Sequence, residues 1–194
     1  FGIDITERPL LIAHENNTEI YLNGNTGTPD YQLNAGDYIA LDGSEYSANG
    51  NLYVQTSKNV FAYQGVGGNS QANQEMFFVP PLSCQTPKII DNIPLINLIG
   101  NISFVVNSGV NIVTETGANL DFIINGTNYS LASLPANVNV QGPFAVNGNA
   151  DYETYKLTGI TGNISIFADK QLYISYFGSN DAATYGGYYS GFTF

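Results

Sequence analysis

The side chains that most often carry catalysis are scarce in this chain. His14 is the only histidine and Cys84 the only cysteine among 194 residues. A Ser-His-Asp triad or a Cys-His pair would have to use His14, and one histidine cannot build a multi-histidine zinc site. Sixteen acidic residues make some carboxylate pair inevitable, so their number alone does not indicate a glycosidase. The sequence therefore predicts a protein that is not an enzyme.

Calcium is the metal that the oxygen-rich loops could bind, and no other cofactor is expected. Ca²⁺ takes about six to eight oxygen ligands from carboxylates, amides and backbone carbonyls. The candidate loops are residues 34–37 together with residues 42–45, and residues 147–153. Neither matches an EF-hand, and acidic residues are also common in turns because water solvates them there. Both interpretations stay open at this point.

An aromatic segment near the C-terminus is the candidate ligand-binding site. It contains Tyr185, Tyr188 and Tyr189, preceded by Asn180 and Asp181. Sugar rings stack on aromatic side chains and hydrogen-bond to amides and carboxylates, so these residues could bind a glycan. Tyrosine also packs well in edge strands and domain junctions, and a terminal strand packed against a neighbour is the alternative. Residues 188–194 are rich in strand formers, so we expect them to be held as a strand and to continue into further polypeptide.

Charge and composition exclude several classes of partner. The net charge is −11 and only five residues are Lys or Arg, which argues against nucleic acid. No apolar run approaches the roughly 20 residues that a transmembrane helix needs. Cys84 has no internal disulfide partner, so it is either a buried thiol or a bridge to a neighbouring domain. Few basic residues with many Asn, Gly, Thr and Tyr are typical of an extracellular bacterial β protein.

The elements that must position these residues are short strands. Runs of β-branched and aromatic residues alternate with polar residues, and no segment has a sustained helical period. Asn-Gly pairs at 23–24, 49–50, 125–126 and 147–148 provide the positive φ that tight turns require. The sequence predicts an all-β protein with antiparallel sheets, very little helix, and hairpins at residues 54–62 and 166–175.

The chain nearly repeats itself. Residues 51–65 (NLYVQTSKNVFAYQG) match residues 163–178 (NISIFADKQLYISYFG), and residues 19–24 (EIYLNG) match residues 121–126 (DFIING). We therefore expect two homologous antiparallel β-sandwich-like repeats, residues 1–84 and 85–194, packed as a pseudo-twofold pair. The proline-rich seam between them is followed by seven aliphatic residues that are expected to be buried. These are Ile89, Ile90, Ile93, Leu95, Ile96, Leu98 and Ile99.

The order of four segments resembles a known family. The segments are AHENNTEIYLNG (13–24), YQLNAGDYIAL (31–41), LYVQTSKNVFAYQGVG (52–67) and FFVPPLSC (77–84). Together they are similar to the N-terminal domain of IgGFc-binding protein, a module of large secreted bacterial surface proteins. The family's His-Cys pair is absent here, where the positions read Val66, Gly67, Gly68 and Asn69.

The resemblance implies a non-catalytic extracellular or cell-surface module that serves adhesion or fibre assembly. Its partners would be a protein or glycan at the cell surface and neighbouring domains of the same polypeptide. The alternatives are a glycan-binding, lectin-like domain and a purely structural spacer.

Overall fold

The computed structural model describes residues 7–66, 76–83, 85–104, 107–180 and 183–188, and these residues form strands. Two short 3₁₀ turns are the only helical elements among them, which confirms the prediction of an all-β protein with very little helix. The N-terminal half contains β1 (Leu10–Ala13), β2 (Thr18–Leu22), β3 (Tyr31–Leu33), β4 (Tyr38–Ala40), β5 (Val54–Thr56), β6 (Val60–Gly65) and β7 (Met76–Phe78).

The C-terminal half contains the longer strands. They are β8 (Ile89–Ile93), β9 (Leu98–Ile99), β10 (Ile102–Ser103), β11 (Ser108–Glu115), β12 (Leu120–Ile124), β13 (Thr127–Ser130), β14 (Asn139–Val146), β15 (Asn149–Thr158), β16 (Ile164–Ala168), β17 (Leu172–Asn180) and β18 (Ala183–Tyr188).

Each half consists of two antiparallel sheets. The N-terminal half has the sheet orders β4-β1-β6-β7 and β3-β2-β5. The C-terminal half has the orders β14-β15-β11-β17-β18 and β13-β12-β16-β8, with β9 and β10 as a separate hairpin. The main core lies between the two C-terminal sheets, because Phe122 and Ile166 of one sheet cluster with Ile112 and Leu157 of the other. A smaller core around Leu11, Ile20 and Leu41 lies in the N-terminal half.

The sequence-matched segments occupy the same places in the two sets of sheets. β2 and β5 are neighbours in one sheet, as are β12 and β16, and β1 and β6 are neighbours in the other, as are β11 and β17. Among the described residues, the C-terminal half has additional strands in both sheets. β14 extends one sheet beyond β15, and β8 extends the other beyond β16.

The Asn-Gly pairs form the tight turns that the sequence predicts. Asn125 (φ 50°) and Gly126 (φ 81°) connect β12 to β13, and Gly148 (φ 84°) lies in the two-residue connection between β14 and β15. At Asn125 and Gly126 both central residues have a positive φ, which gives a turn whose twist matches that of the strands.

The two predicted hairpins, at residues 54–62 and 166–175, are wrong. β5 pairs with β2 whereas β6 pairs with β1, so the connection between them crosses from one sheet to the other. β16 and β17 are separated in the same way. Two alternating runs around a polar turn look alike whether the second strand lies beside the first or opposite it, because both arrangements bury one face of each run.

The prediction of burial for all seven aliphatic residues after the seam is only partly right. Ile90, Ile93 and Ile96 are buried, whereas Ile89, Leu95, Leu98 and Ile99 are exposed. β8 is an edge strand that points Ile90 and Ile93 into the core and Ile89 outwards. β9 and β10 form their hairpin outside both sandwiches, so their aliphatic side chains have no opposing sheet.

The two matched lysines make the same contact in each half. Lys58 donates from Nζ to the Asn16 carbonyl oxygen at 2.5 Å, and Lys170 donates to the Thr116 carbonyl oxygen at 2.6 Å. Lys58 lies between β5 and β6 and reaches the connection between β1 and β2. Lys170 lies between β16 and β17 and reaches the connection between β11 and β12. The lysine therefore ties together two connections that cross between the sheets.

Replacing Lys170 with methionine should lower the free energy of unfolding by about 1 kcal/mol, because one charge-assisted hydrogen bond is lost at an exposed site. Urea titration followed by circular dichroism measures the change. Lys170→Arg keeps a donor on a long side chain and is the matched control. Equal stability of Lys170→Met and the unchanged chain would contradict the role of this contact.

Candidate functional site

The main described cavity has a volume of about 730 Å³ and lies between the two halves. Ligand sites commonly have volumes of about 300–1,000 Å³, so its size fits a bound molecule or peptide segment. The N-terminal wall includes five consecutive residues, 52–56, which contain β5. The opposite wall is the outer face of β15, β11 and β17, with Asn111, Thr154 and Ser175 among its residues.

The lining is mostly apolar, with amides and hydroxyls distributed among aliphatic and aromatic side chains. Asn111 donates from Nδ2 to Ser175 Oγ at 3.3 Å, and Tyr152 donates from its hydroxyl to Gln171 Oε1 at 3.1 Å. Gln55 and Gln141 also line the cavity and are exposed to it. Aliphatic and aromatic side chains lie between these polar groups: Leu11, Val60, Ala62, Phe78, Val113 and Phe144.

The described lining contains one carboxylate, that of Glu7, and one ammonium group, that of Lys156. Glu7 is buried and its Oε2 accepts a hydrogen bond from Gln64 Nε2 at 3.2 Å. Burial lowers the pKa of Lys156, and the negative charge of Glu7 opposes that shift. The Lys156 ammonium also lies 5.5 Å from the centre of the Phe177 ring. Burial, the charge of Glu7 and a hydrogen bond with Glu7 raise the pKa of Tyr46, which keeps this lining hydroxyl protonated at neutral pH.

Direct contacts hold the two walls together. Asn51 donates from Nδ2 to the Ala145 carbonyl oxygen at 3.1 Å and to Thr154 Oγ1 at 3.3 Å. The Tyr173 hydroxyl accepts a hydrogen bond from the Ser83 N–H at 2.6 Å and donates to the Ser83 carbonyl oxygen at 3.1 Å. These contacts join residues of different halves, so the two walls of the cavity are linked directly.

Buried tyrosines make the fold sensitive to alkali. Burial, with the Glu153 carboxylate, raises the pKa of Tyr155 to about 12, and burial raises the pKa of Tyr185 to about 12. The folded chain therefore keeps protons that the unfolded chain loses above pH 10, the ordinary tyrosine value. Stability should be fully present below pH 10 and should fall as the pH rises from 10 towards 12.

Urea titrations at several pH values, with tyrosinate absorbance recorded in parallel, measure this effect. In Tyr155→Phe the free energy of unfolding should fall less steeply with pH above 10, because one hydroxyl with a raised pKa is removed. A loss as steep in Tyr155→Phe as in the unchanged chain would contradict the contribution of Tyr155.

The described residues of the C-terminal aromatic segment make contacts within the fold. Tyr185 is buried, donates its hydroxyl hydrogen to the Ile96 carbonyl oxygen and packs edge-on against Phe104, with ring centres 4.6 Å apart. Asn180 ends β17 and donates to the Ser103 carbonyl oxygen at 3.4 Å. Tyr188 ends β18.

Other parts of the candidate ligand-binding site lie outside the described residues. These are Asp181, Tyr189 and the side chain of Tyr188, together with residues 189–194 of the expected terminal strand. A glycan-binding role for the segment therefore stays a prediction, and Tyr185 has a packing role within the fold. Cys84 also lies outside the described residues.

Four carboxylates of the candidate calcium loops accept hydrogen bonds within the protein. Asp37 accepts from the Asn34 N–H, Asp42 from the Ser44 N–H, and Glu45 from the Tyr31 hydroxyl. In the loop at 147–153, Glu153 accepts from the Gly117 N–H and the Tyr155 hydroxyl. Within the described ranges no three His, Cys, Asp or Glu side chains group together. Calcium binding stays a prediction.

The fold and the cavity define an all-β protein in which two sandwich-like halves enclose a ligand-sized space. The chain belongs to the IgGFc binding protein family, whose sequence profile matches residues 5–178. This match confirms the family resemblance that the four segments indicate. No curated protein and no solved structure matches the chain. No helix in the described part of the chain is long and apolar enough to cross a membrane.

The cavity residues could not be found by inspecting the sequence. Asn111 and Ser175 occupy the polar positions of alternating strands, which are usually solvent-exposed. A signal exists in hindsight, because small polar residues recur on the outer face of the strands that also carry the fully buried core. The sequence does not reveal that the other half of the chain covers this face.

Proposed function

We propose that this chain is an extracellular binding module of a larger secreted or cell-surface protein, and that it serves adhesion or fibre assembly. The observation that supports the proposal is the cavity of about 730 Å³, which is lined by amides, hydroxyls and rings from both halves. Such a lining suits recognition, because polar groups orient a ligand while apolar groups bury its surface. Membership of a family described as IgGFc binding protein points in the same direction.

The test uses a panel of purified extracellular proteins, including the Fc fragment of IgG, with surface plasmon resonance as the readout. Ser175→Trp would place a large ring in the cavity from the outer face of β17. Asn128→Trp, at an exposed position on β13, is the matched control. Binding that Ser175→Trp weakens at least tenfold and Asn128→Trp leaves unchanged would support the proposal. Binding that is insensitive to both variants would remove the cavity from it.

A glycan ligand is the second candidate, favoured by the neutral amides and tyrosines of the lining. A glycan array with the same two variants and with Tyr188→Ala tests it. Loss of glycan binding in Ser175→Trp would place the sugar in the cavity, whereas loss in Tyr188→Ala alone would place it at the C-terminal segment. A structural spacer would bind nothing in either assay.

We also infer that residues 1–84 and 85–194 are copies of one unit that pack as a pseudo-twofold pair. The common order of the sequence-matched strands and the two lysine contacts support this inference. Superposing β1, β2, β5 and β6 on β11, β12, β16 and β17 should need a rotation near 180°. A relation that is mainly a translation would contradict the twofold arrangement.

A further inference from the structure

The β5 edge faces the cavity. β5 is the last strand of its sheet in the described part of the chain, and residues 52–56 line the cavity without a break. The backbone groups of Tyr53 and Ser57 point towards β2. The Asn23 N–H donates to the Tyr53 carbonyl oxygen, and the Ser57 N–H donates to the Glu19 carbonyl oxygen. Because these groups alternate along a strand, the N–H and C=O of Val54 and Thr56 point away from β2, towards the edge.

The matched edge in the C-terminal half is covered by a strand. β8 pairs antiparallel with β16, with Ile93 opposite Ile164 and Ile90 opposite Ile166. The Ala168 N–H donates to the Lys88 carbonyl oxygen at 2.8 Å and continues this pairing. Ile90 and Ile93 point into the main core, three residues apart because the pairing contains an irregularity between them. β8 therefore supplies both backbone pairing and two aliphatic side chains.

In the described part of the chain no strand covers the β5 edge, and the N-terminal core is open there. Ile164, Ile166, Leu172 and Ile174 of β16 and β17 are fully buried. Their sequence-matched residues in the N-terminal half are only half-buried, and each lines the cavity: Leu52, Val54, Val60 and Ala62. The apolar surface that β8 covers in one half is thus the surface that borders the cavity in the other.

We propose that the cavity accepts an extended strand of a partner protein, which pairs antiparallel with the β5 edge and inserts two aliphatic side chains between the sheets. The inference rests on the proposed function, in that the cavity is a binding site, and it adds the class of ligand. By analogy with β8, the first aliphatic residue lies opposite Val54 and the second, three positions later, opposite Leu52. Main-chain hydrogen bonds supply affinity in this mode of recognition, and the side-chain pockets supply specificity.

Charge favours a separate partner over a second copy of the chain. Each copy carries a net charge of −11, so two copies repel each other. The edge also offers backbone donors and acceptors at the repeat of a peptide, which a sugar ring does not match. The partner strand is therefore aliphatic at two positions and carries few acidic residues, with a basic residue before it, as Lys88 stands before β8.

The experiment titrates the intact chain into a fluorescent peptide with the sequence of residues 87–96 and follows anisotropy. Saturable binding is expected. A peptide with Asp in place of the residues that correspond to Ile90 and Ile93 should bind at least tenfold more weakly. Val54→Pro removes an N–H that points away from β2, so no hydrogen bond to β2 is lost. Proline is tolerated at such a position of an edge strand. The substitution should weaken peptide binding at least tenfold. Asn128→Pro, at an exposed position on the β13 edge outside this cavity, is the matched control and should bind like the unchanged chain.

Amide hydrogen exchange of the unchanged chain provides a second readout that does not depend on the folding of Val54→Pro. Saturating peptide should slow exchange at Val54 and Thr56. Equal binding of both peptides, or no protection at these two amides, would overturn the strand inference. A neutral oligosaccharide or a second copy in the cavity would overturn it but leave the proposed function standing. If Ser175→Trp also changes no binding of any kind, the cavity is removed from the proposed function as well.

Discussion

Ile166→Ala should lower the free energy of unfolding by about 3–4 kcal/mol, within the range of about 2–5 kcal/mol seen when a buried isoleucine is truncated. Val54→Ala, at the sequence-matched position in the N-terminal half, should lower it by about 1 kcal/mol or less. Ile166 is fully buried between the two C-terminal sheets, so truncation leaves a closed cavity there. Val54 already borders an open cavity, so its truncation removes few contacts.

Urea unfolding followed by circular dichroism and tyrosine fluorescence measures both losses, and the m-values check that each variant unfolds in the same way. Val54→Ala in the presence of a saturating cavity ligand should cost more than it does without one. Similar losses for the two truncations would mean that the N-terminal sandwich is as well packed as the C-terminal one. That outcome would weaken the case for a missing strand.

Gly148→Ala should cost about 3 kcal/mol or more, which is well above the roughly 1–2 kcal/mol expected for an alanine at positive φ alone. A Cβ at Gly148 would lie 2.2 Å from the Gly24 nitrogen and 2.3 Å from its Cα, both of which belong to the other half. Two Asn-Gly turns, one from each half, therefore meet backbone to backbone. A side chain at this point would push the halves apart.

Gly126 provides a closely matched control. It has a φ of 81° and is also the glycine of an Asn-Gly turn, but a Cβ there would have no neighbour within 4 Å. Gly126→Ala should therefore show the cost of the backbone conformation without the contact between halves. Urea unfolding gives the two free energies, and small-angle scattering reports whether Gly148→Ala separates the halves. Equal costs at Gly126 and Gly148 would contradict the close contact between the turns.

The local structure of this protein could be predicted to a large extent from its residues. Alternating runs such as residues 120–124 form strands because one face is apolar, and Asn125 with Gly126 forms a turn because both residues accept a positive φ. The four family segments identified the family. The poverty in histidine, cysteine and basic residues directed the interpretation away from catalysis and nucleic acid, and towards a binding module.

The candidate site could not be predicted, because its residues are brought together from distant parts of the chain. Tyr185 is aromatic and near a terminus, which suggested a ligand contact, but its hydroxyl and ring are used inside the fold. Asn111 and Ser175 resemble ordinary surface residues, but they line a cavity because the N-terminal half lies over them.

The sequence by itself determined the strands, the turns and the matching of the two halves, since these depend on interactions between residues close along the chain. The tertiary structure alone decided which strands share a sheet, as the crossing between β5 and β6 demonstrates. It also decided that β8 covers β16 while the matched edge of β5 faces a cavity. The physical reason is that alternation marks one buried face of a strand but carries no information about which strand or sheet covers that face or pairs with its edges.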